Sequence, residues 1–396
     1  MSPREMSHRH SGPRVGMSAF DLKTFHSSGS VTLKAMLNIA ECTGNVMRLR
    51  KVFKARVFCP TRRKRSALKH LWNSWKRALS LKRDYRTLRS ETDLPSYYCR
   101  EISWKVEEKA NAPVGLPNDA FNLKEGGAFA PWFISIPTPE GRVRLPLRMG
   151  KEHSSSLKEV EVRDSLLIKR HGEFYVHLVV EKEVPDPVIP THAPVLAVDI
   201  GEKVIATSVA LVDDQIHEPK FYGRKVRGIR RHHAWLRKRL GERKLLRVIK
   251  RVSDTEHRKV DDLLHKIARS IVDRAKELGG VIALGDLSGI RRRRIKGRRF
   301  RRIVNAMPFS RLSRFIEYKA AWDGVPVILV REDYSSEECH LCHEWGGRPT
   351  QGRFVCLTCG EYNADLNGAV NIGKRVLRYM RITGAPGFEP MRGASF

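Results

Sequence analysis

The chain has 396 residues, 41% of them hydrophobic, which is enough for two or three domains with a sizeable core and too apolar for a disordered chain. Its 75 Lys and Arg against 43 Asp and Glu leave a formal charge of +32, which repels itself until a polyanion, most simply a phosphate backbone, neutralises it. No stretch reaches the roughly 18 apolar residues of a membrane-spanning helix, and seven Cys, four of them clustered, in so long a chain are too few for a secreted disulfide scaffold, so no membrane partner is expected and a reducing, cytoplasmic setting is.

Residues 1–48 hold Ser-, Gly- and His-rich stretches with little periodicity and read as a flexible tail, with Met47 as an alternative start. Residues 52–58 predict a strand that ends at Pro60. Leu68, Leu71, Trp72, Trp75 and Leu79 then recur at three- and four-residue intervals, the mark of an amphipathic helix. Its other face carries Arg63, Lys64, Arg65, Lys69 and Lys76, and is either a solvated face or one turned to a phosphate backbone. Segments 97–106, 132–136, 141–147 and 173–180 predict strands of a small β-rich module, closed by the proline-rich stretch 181–194.

The second half alternates strand and helix. Residues 194–201 predict a buried strand ending in Asp199, and 206–212 a second strand turned at Asp213-Asp214. Residues 224–251 read as one very basic helical stretch, and 263–276 as an amphipathic helix. Residues 281–284 and 325–330 predict two further strands, reaching Gly285-Asp286 and Arg331-Glu332. This order predicts an α/β domain with a strand hairpin first and helical crossovers later.

Acids at the ends of apolar strands carry the chemistry. Asp199, Glu332 and Asp365, the last in a helix-opening run, are the candidate catalytic acids; Asp286 is the alternative, or a cap on the turn that follows it. Three converging carboxylates could bind two Mg²⁺ or Mn²⁺ ions, one activating water and the other stabilising the leaving oxygen of a phosphodiester. Cys339, Cys342, Cys356 and Cys359 form two C-x-x-C pairs separated by thirteen residues, a spacing suited to one structural, tetrahedral Zn²⁺. His340 and His343 lie close enough to compete as ligands, although four Cys suffice. Nine of the twelve residues 291–302 are basic: Arg291, Arg292, Arg293, Arg294, Lys296, Arg298, Arg299, Arg301 and Arg302. Placed just after Asp286, they are the candidate grip on nucleic-acid phosphates.

The runs Val198-Asp199-Ile200-Gly201, Tyr334-Ser335-Ser336-Glu337-Glu338-Cys339-His340-Leu341-Cys342, Arg353-Phe354-Val355-Cys356-Leu357-Thr358-Cys359-Gly360 and Ala364-Asp365-Leu366-Asn367-Gly368-Ala369 resemble the TnpB (OrfB) proteins of small insertion sequences, relatives of the compact type V CRISPR (Cas12-like) nucleases. Phe53-Lys54-Ala55-Arg56-Val57-Phe58 resembles the family's opening strand, so the resemblance covers roughly residues 50–380. It implies an RNA-guided DNA endonuclease of a transposable element, with one chain per structured guide RNA from the transposon end and a target DNA marked by a short adjacent motif. It implies an RNase H-like (RuvC) nuclease core over 195–334 and 361–382, with a zinc ribbon inserted at 335–360. It also implies a wedge-like β-barrel over 49–60 and 93–190, a helical recognition insertion over 61–92, and a tail over 383–396. The chain departs from the family at one place: Gly285 stands where the second catalytic Glu is usual. Either Glu332 on the next strand replaces it, or the site is degraded and the protein is a nuclease-inactive RNA-guided DNA binder. A resolvase-like or accessory nucleic-acid protein is the remaining alternative.

Overall fold

A computed structural model describes residues 38–43, 46–81, 84–103, 112–127, 129–185, 187, 189–190, 192–286, 308–331, 335–350 and 352–383. Three sheets organise them.

The first sheet contains β1 (Asn38–Thr43), β2 (Val46–Val57), β3 (Val114–Leu116), β4 (Asn122–Gly127), β5 (Ala130–Thr138), β6 (Gly141–Arg148), β7 (Glu161–Arg170) and β8 (Glu173–Pro185). Its order is β3-β7-β8-β2-β6-β5-β4, with β1 paired to β2. Phe53, Ala55 and Val57 alternate with exposed Lys54 and Arg56, so one face of β2 is core and the other solvent. Helix α1 (Arg62–Leu81) buries the predicted stripe of Leu68, Leu71, Trp72, Trp75 and Leu79 against that core. Short helices α2 (Tyr85–Glu91) and α3 (Ser96–Ser103) follow, and α4 (Lys151–Ser156) lies between β6 and β7.

Two expectations change here. The expected tail 1–48 contains β1, which pairs antiparallel with β2. The expected strand 97–106 begins instead as α3, and residues 104–106 lie outside the described set. Tyr98, Cys99 and Ile102 are buried at helical spacing, and the Tyr98 hydroxyl donates to the Pro137 carbonyl at 2.9 Å. Burial here follows one helical face rather than the alternation of a strand.

The second sheet is β11-β10-β9-β12-β13: β9 (Val195–Asp199), β10 (Ala206–Val212), β11 (Gln215–Tyr222), β12 (Val281–Asp286) and β13 (Val327–Arg331). The first three strands form an antiparallel meander, while β12 runs parallel to both β9 and β13. Asp213 and Asp214 turn the β10–β11 hairpin with φ of 49° and 65°, as a tight two-residue loop between twisted strands requires. Helices α5 (Arg224–Glu242) and α6 (Leu246–Glu277) divide what the sequence presents as one basic stretch; Lys244, at φ 55°, marks the break. Leu196, Val198, Ile282 and Leu284 face α6 and α7 (Phe309–Trp322). Val195, Ala197, Val281, Ala283, Ile328 and Val330 face α8 (Ala364–Thr383). The third sheet, β14 (Gly347–Thr350), β15 (Arg353–Cys356) and β16 (Gly360–Asn363), forms a small ribbon between β13 and α8.

Candidate active site and metal centres

Strand alternation places the acids. Ala197 packs toward α8, so Asp199, two residues on, belongs to the same face. A Cβ added at Gly368 of α8 would lie 3.0 Å from the Asp199 Oδ2, so the helix rests directly on that carboxylate. Asp365 stands one turn earlier on α8 and is 6% exposed. Asn363 caps this helix start: its Oδ1 accepts the Asp365 and Leu366 amides, both at 3.0 Å. Strand β9 and α8 therefore bring together two acids that are 166 positions apart in the chain.

The electrostatics follow from this crowding. Burial, and then the Asp365 charge, push the Asp199 carboxyl up to about 7, with Arg348 opposing. Burial also raises Asp365, opposed by Arg348, Lys203 and Arg224. Arg348, on β14, donates to the Asp365 Oδ1 at 2.9 Å. A Cβ at Gly352 would lie 3.4 Å from the Lys203 amine, so Lys203 reaches the ribbon too. Two close carboxylates that resist double ionisation are suited to a hard divalent cation, which would relieve their repulsion.

The alternative acid is placed elsewhere. Gly285 continues the parity of Ala283 toward α8, whereas Asp286 takes the parity of Leu284, on the opposite face. Its charge is felt there by Glu317 of α7, whose carboxyl is raised by burial, lowered by Arg314 and raised again by Asp286. Glu332 and the whole basic run 291–302 lie outside the described residues. Among the described residues, no third His, Cys, Asp or Glu joins Asp199 and Asp365 in a potential metal-binding group.

The four cysteines do converge. The ligand atoms of Cys339, Cys342, Cys356 and Cys359 all lie within 4.8 Å of one another, with Cys342 and Cys356 sulfurs 3.5 Å apart. Tetrahedral zinc with Zn–S bonds of about 2.3 Å needs sulfurs about 3.8 Å apart, so the donor set fits. The Cys359 amide donates to the Cys356 sulfur, and such backbone bonds hold that thiol down at about 7. Both nearby histidines are otherwise engaged. His343 Nδ1 meets Glu338 at 2.7 Å, and His340 Nδ1 meets the Asn367 Oδ1 at 2.9 Å.

Asn367 is part of a polar stripe on α8 that sequence reasoning missed. The Asn367 and Asn371 amides donate to the Glu338 carbonyl at 2.7 and 2.8 Å, and Lys374 donates to the His340 carbonyl at 2.6 Å. Their i, i+4, i+7 spacing just after Asp365 was the available signal. Arg348 was also missed, and its exposed, polar ribbon strand carries no pattern that marks it.

The family model described as "Cas12f1-like, TNB domain" matches residues 309–372. The chain is 33% identical over 225 residues to the CRISPR-associated endodeoxyribonuclease Cas12f2 of Micrarchaeota archaeon, covering 52% of this chain and 40% of that protein. It is 32% identical over 190 residues to a TnpB-like protein of Methanocaldococcus jannaschii, covering 46% of this chain and 68% of that protein. The cryo-EM structure of a Cas12f1–sgRNA–target DNA complex shares the fold at a TM-score of 0.51 and 15% identity, over 78% of this chain and 75% of that one.

Proposed function

The chain belongs to the TnpB-like family, and on that premise we propose that it is an RNA-guided DNA endonuclease of a transposable element. Its five-stranded sheet is read as an RNase H-like (RuvC) core, and its eight-stranded sheet as the wedge-like barrel with α1 and α2 as the recognition insertion. The carrying observation is the convergence of Asp199 and Asp365 at the junction of the central strand and the last helix.

Asp199 and Asp365 would hold Mg²⁺ or Mn²⁺, which supplies Lewis acidity and a water nucleophile at neutral pH. Until then Arg348 neutralises Asp365 and ties the ribbon to the acid pair. Arg348, Lys203 and Arg224 surround Asp365 with positive charge and can receive the target phosphate there. The ribbon cysteines would hold Zn²⁺, and α8 fixes the ribbon against the site through Asn367, Asn371 and Lys374.

Glu332 is proposed as the third acid. Its place in the sequence, one residue past the end of β13, motivates the assignment. The test is cleavage of guide-matched DNA with Mg²⁺, with RNA binding measured alongside. E332Q, D199N and D365N are expected to bind RNA and cut at least about 100-fold more slowly, whereas D286N retains most activity. Full cleavage by E332Q with loss in D286N would reassign the acid. The second reading, a nuclease-inactive RNA-guided binder, draws on Gly285, which stands where the second catalytic Glu is usual and has no side chain to offer a metal. It predicts guided binding without cleavage in the parent protein in either metal.

A further inference from the structure

Helix α5 carries a second feature that the nuclease reading does not use. Between Arg224 and Arg251 the chain has thirteen Lys and Arg and a single acid, Glu242. Two of these cations turn inward: Arg237 pairs with Glu256 of α6, and Arg230 lies 3.7 Å from the same carboxylate. His233, 5% exposed, seals the same inner face. The outer face is different. Arg231, Trp235, Lys238 and Arg239 recur at three- and four-residue intervals and all are exposed.

Trp235 is the anomaly. Its side chain is 54% exposed although it is the largest apolar group on the helix. His232 stacks against it at 6.3 Å with an interplanar angle of 27°, and the Arg239 guanidinium lies 5.7 Å from the ring centre. Arg239 reaches Glu242 only at 4.0 Å, and among the described residues Arg231 and Lys238 have no carboxylate partner. An exposed indole held between a histidine and a guanidinium, flanked by free cations, combines a stacking surface with a grip on phosphates.

We propose that the outer face of α5 is a platform for single-stranded RNA, on which Trp235 stacks an unpaired base while Arg231, Lys238 and Arg239 hold the flanking phosphates. This deepens the RNA-binding part of the function proposed above and uses none of its cleavage chemistry. Duplex bases are already stacked and leave no free face for an indole, whereas loops and bulges of a structured RNA do. An unpaired DNA strand arises only after a target opens, but the charge of +32 calls for a resident polyanion before that. His232 can donate or accept a hydrogen bond, as the ribose 2′-hydroxyl can, and this favours RNA over DNA. Trp235 sits about 16 Å along α5 from Arg224, whose charge acts on Asp365. RNA held there would therefore lie beside the acid pair without occupying it.

The test uses the full zinc-loaded chain freed of copurified nucleic acid. It is titrated with labelled uridine RNA of about 12 nucleotides, thymidine DNA of the same length and a blunt RNA duplex. W235A is expected to weaken binding of the single-stranded RNA roughly tenfold, the DNA less, and the duplex by less than about twofold. W235F is expected to lose less than about threefold on the single-stranded RNA, and circular dichroism confirms that each variant is folded. Doubling the change with R231A and K238A is expected to reduce the salt slope of RNA binding by about 1.4. Unchanged RNA affinity in W235A, or an equal loss on the duplex, overturns the platform. A loss on DNA as large as that on RNA reassigns it to a displaced DNA strand and overturns the RNA occupant. Because the readout is binding, a cleavage-dead parent protein leaves this result interpretable and bears only on the nuclease.

Discussion

Asp199 and Asp365 were legible because each interrupts an apolar pattern at a place where burial makes charge costly. Val195 to Val198 are buried, and Ala369, Val370 and Ile372 follow Asp365 into the core. What sequence could not supply is their mutual effect. Ordinary aspartates titrate near 3.8, but burial and Asp365 carry Asp199 to about 7. The sign of the linkage follows. Between 3.8 and 7 the unfolded chain loses this proton while the folded one keeps it, so the acid costs stability as pH rises through that window. Above 7 the cost is constant. D199N should therefore stabilise the metal-free protein at pH 8 by about 1–3 kcal/mol, a value discounted because the side chain is only partly shielded from water. At pH 4 the gain should nearly vanish. Thermal melts of the two proteins at both pH values in chelator check this; a gain equal at both would mean that Asp199 is not held under strain. Arg348 and the asparagines of α8 show the complementary limit. Their partners are fixed only when the ribbon folds back on the helix, and no local periodicity encodes that contact for Arg348.

At the scale of elements, apolar runs predicted β9, β12 and β13 within a few residues, and helical spacing predicted α1 and the inner half of α6. Where single faces decide, pattern misleads: the apolar run over α3 reads as a strand, and β11, largely exposed along its length, carries no apolar run to mark it. The close seating of α8 on the sheet was equally invisible, since it rests on two glycines. A Cβ at Gly373 would stand 2.4 Å from the Leu211 Cδ1 and 2.9 Å from the Ala197 Cβ, inside the core. A Cβ at Gly368 would meet only the Asp199 carboxylate, at 3.0 Å. Alanine normally favours a helix over glycine by about 1 kcal/mol. G373A should nevertheless destabilise by about 1–3 kcal/mol through overpacking. G368A should leave stability unchanged or higher and reduce cleavage more than RNA binding. Urea melts and cleavage assays separate the two, and a G368A protein that cuts at the parent rate would show that the carboxylate yields freely. The ribbon adds a second test. Its apolar cluster is small, Phe354, Ala364 and two of the cysteines being its buried members, so metal must supply most of its stability. Metal analysis should find about one zinc per chain. C356S should lose it, and Arg348 would then no longer be delivered to Asp365, so cleavage should fall with zinc content.

For the whole molecule the excess of cations governs behaviour that no single contact determines. Several acids already serve more than one cation each. Glu181 binds Arg50 at 2.6 Å and Arg163 at 2.8 Å, and Glu173 is shared by Arg56 at 3.4 Å and Arg65 at 3.3 Å. Glu256 likewise faces both Arg230 and Arg237. Such sharing cannot neutralise +32, so the basic surfaces repel one another across the fold. Salt screens this repulsion over about 10 Å at 0.1 M, and less distance at higher concentration. The nucleic-acid-free protein should therefore melt at a higher temperature as salt rises from about 50 mM to about 500 mM, by roughly 2–4 °C for each kcal/mol relieved. Bound RNA should act in the opposite sense to salt. At about 100-fold over its Kd it adds about 2.7 kcal/mol, and that increment should shrink with salt because affinity depends on counterion release. The two curves should approach each other at high salt. If the free protein instead loses stability as salt rises, its ion pairs outweigh its surplus charge; if the RNA increment ignores salt, the contact with RNA does not run through the phosphates.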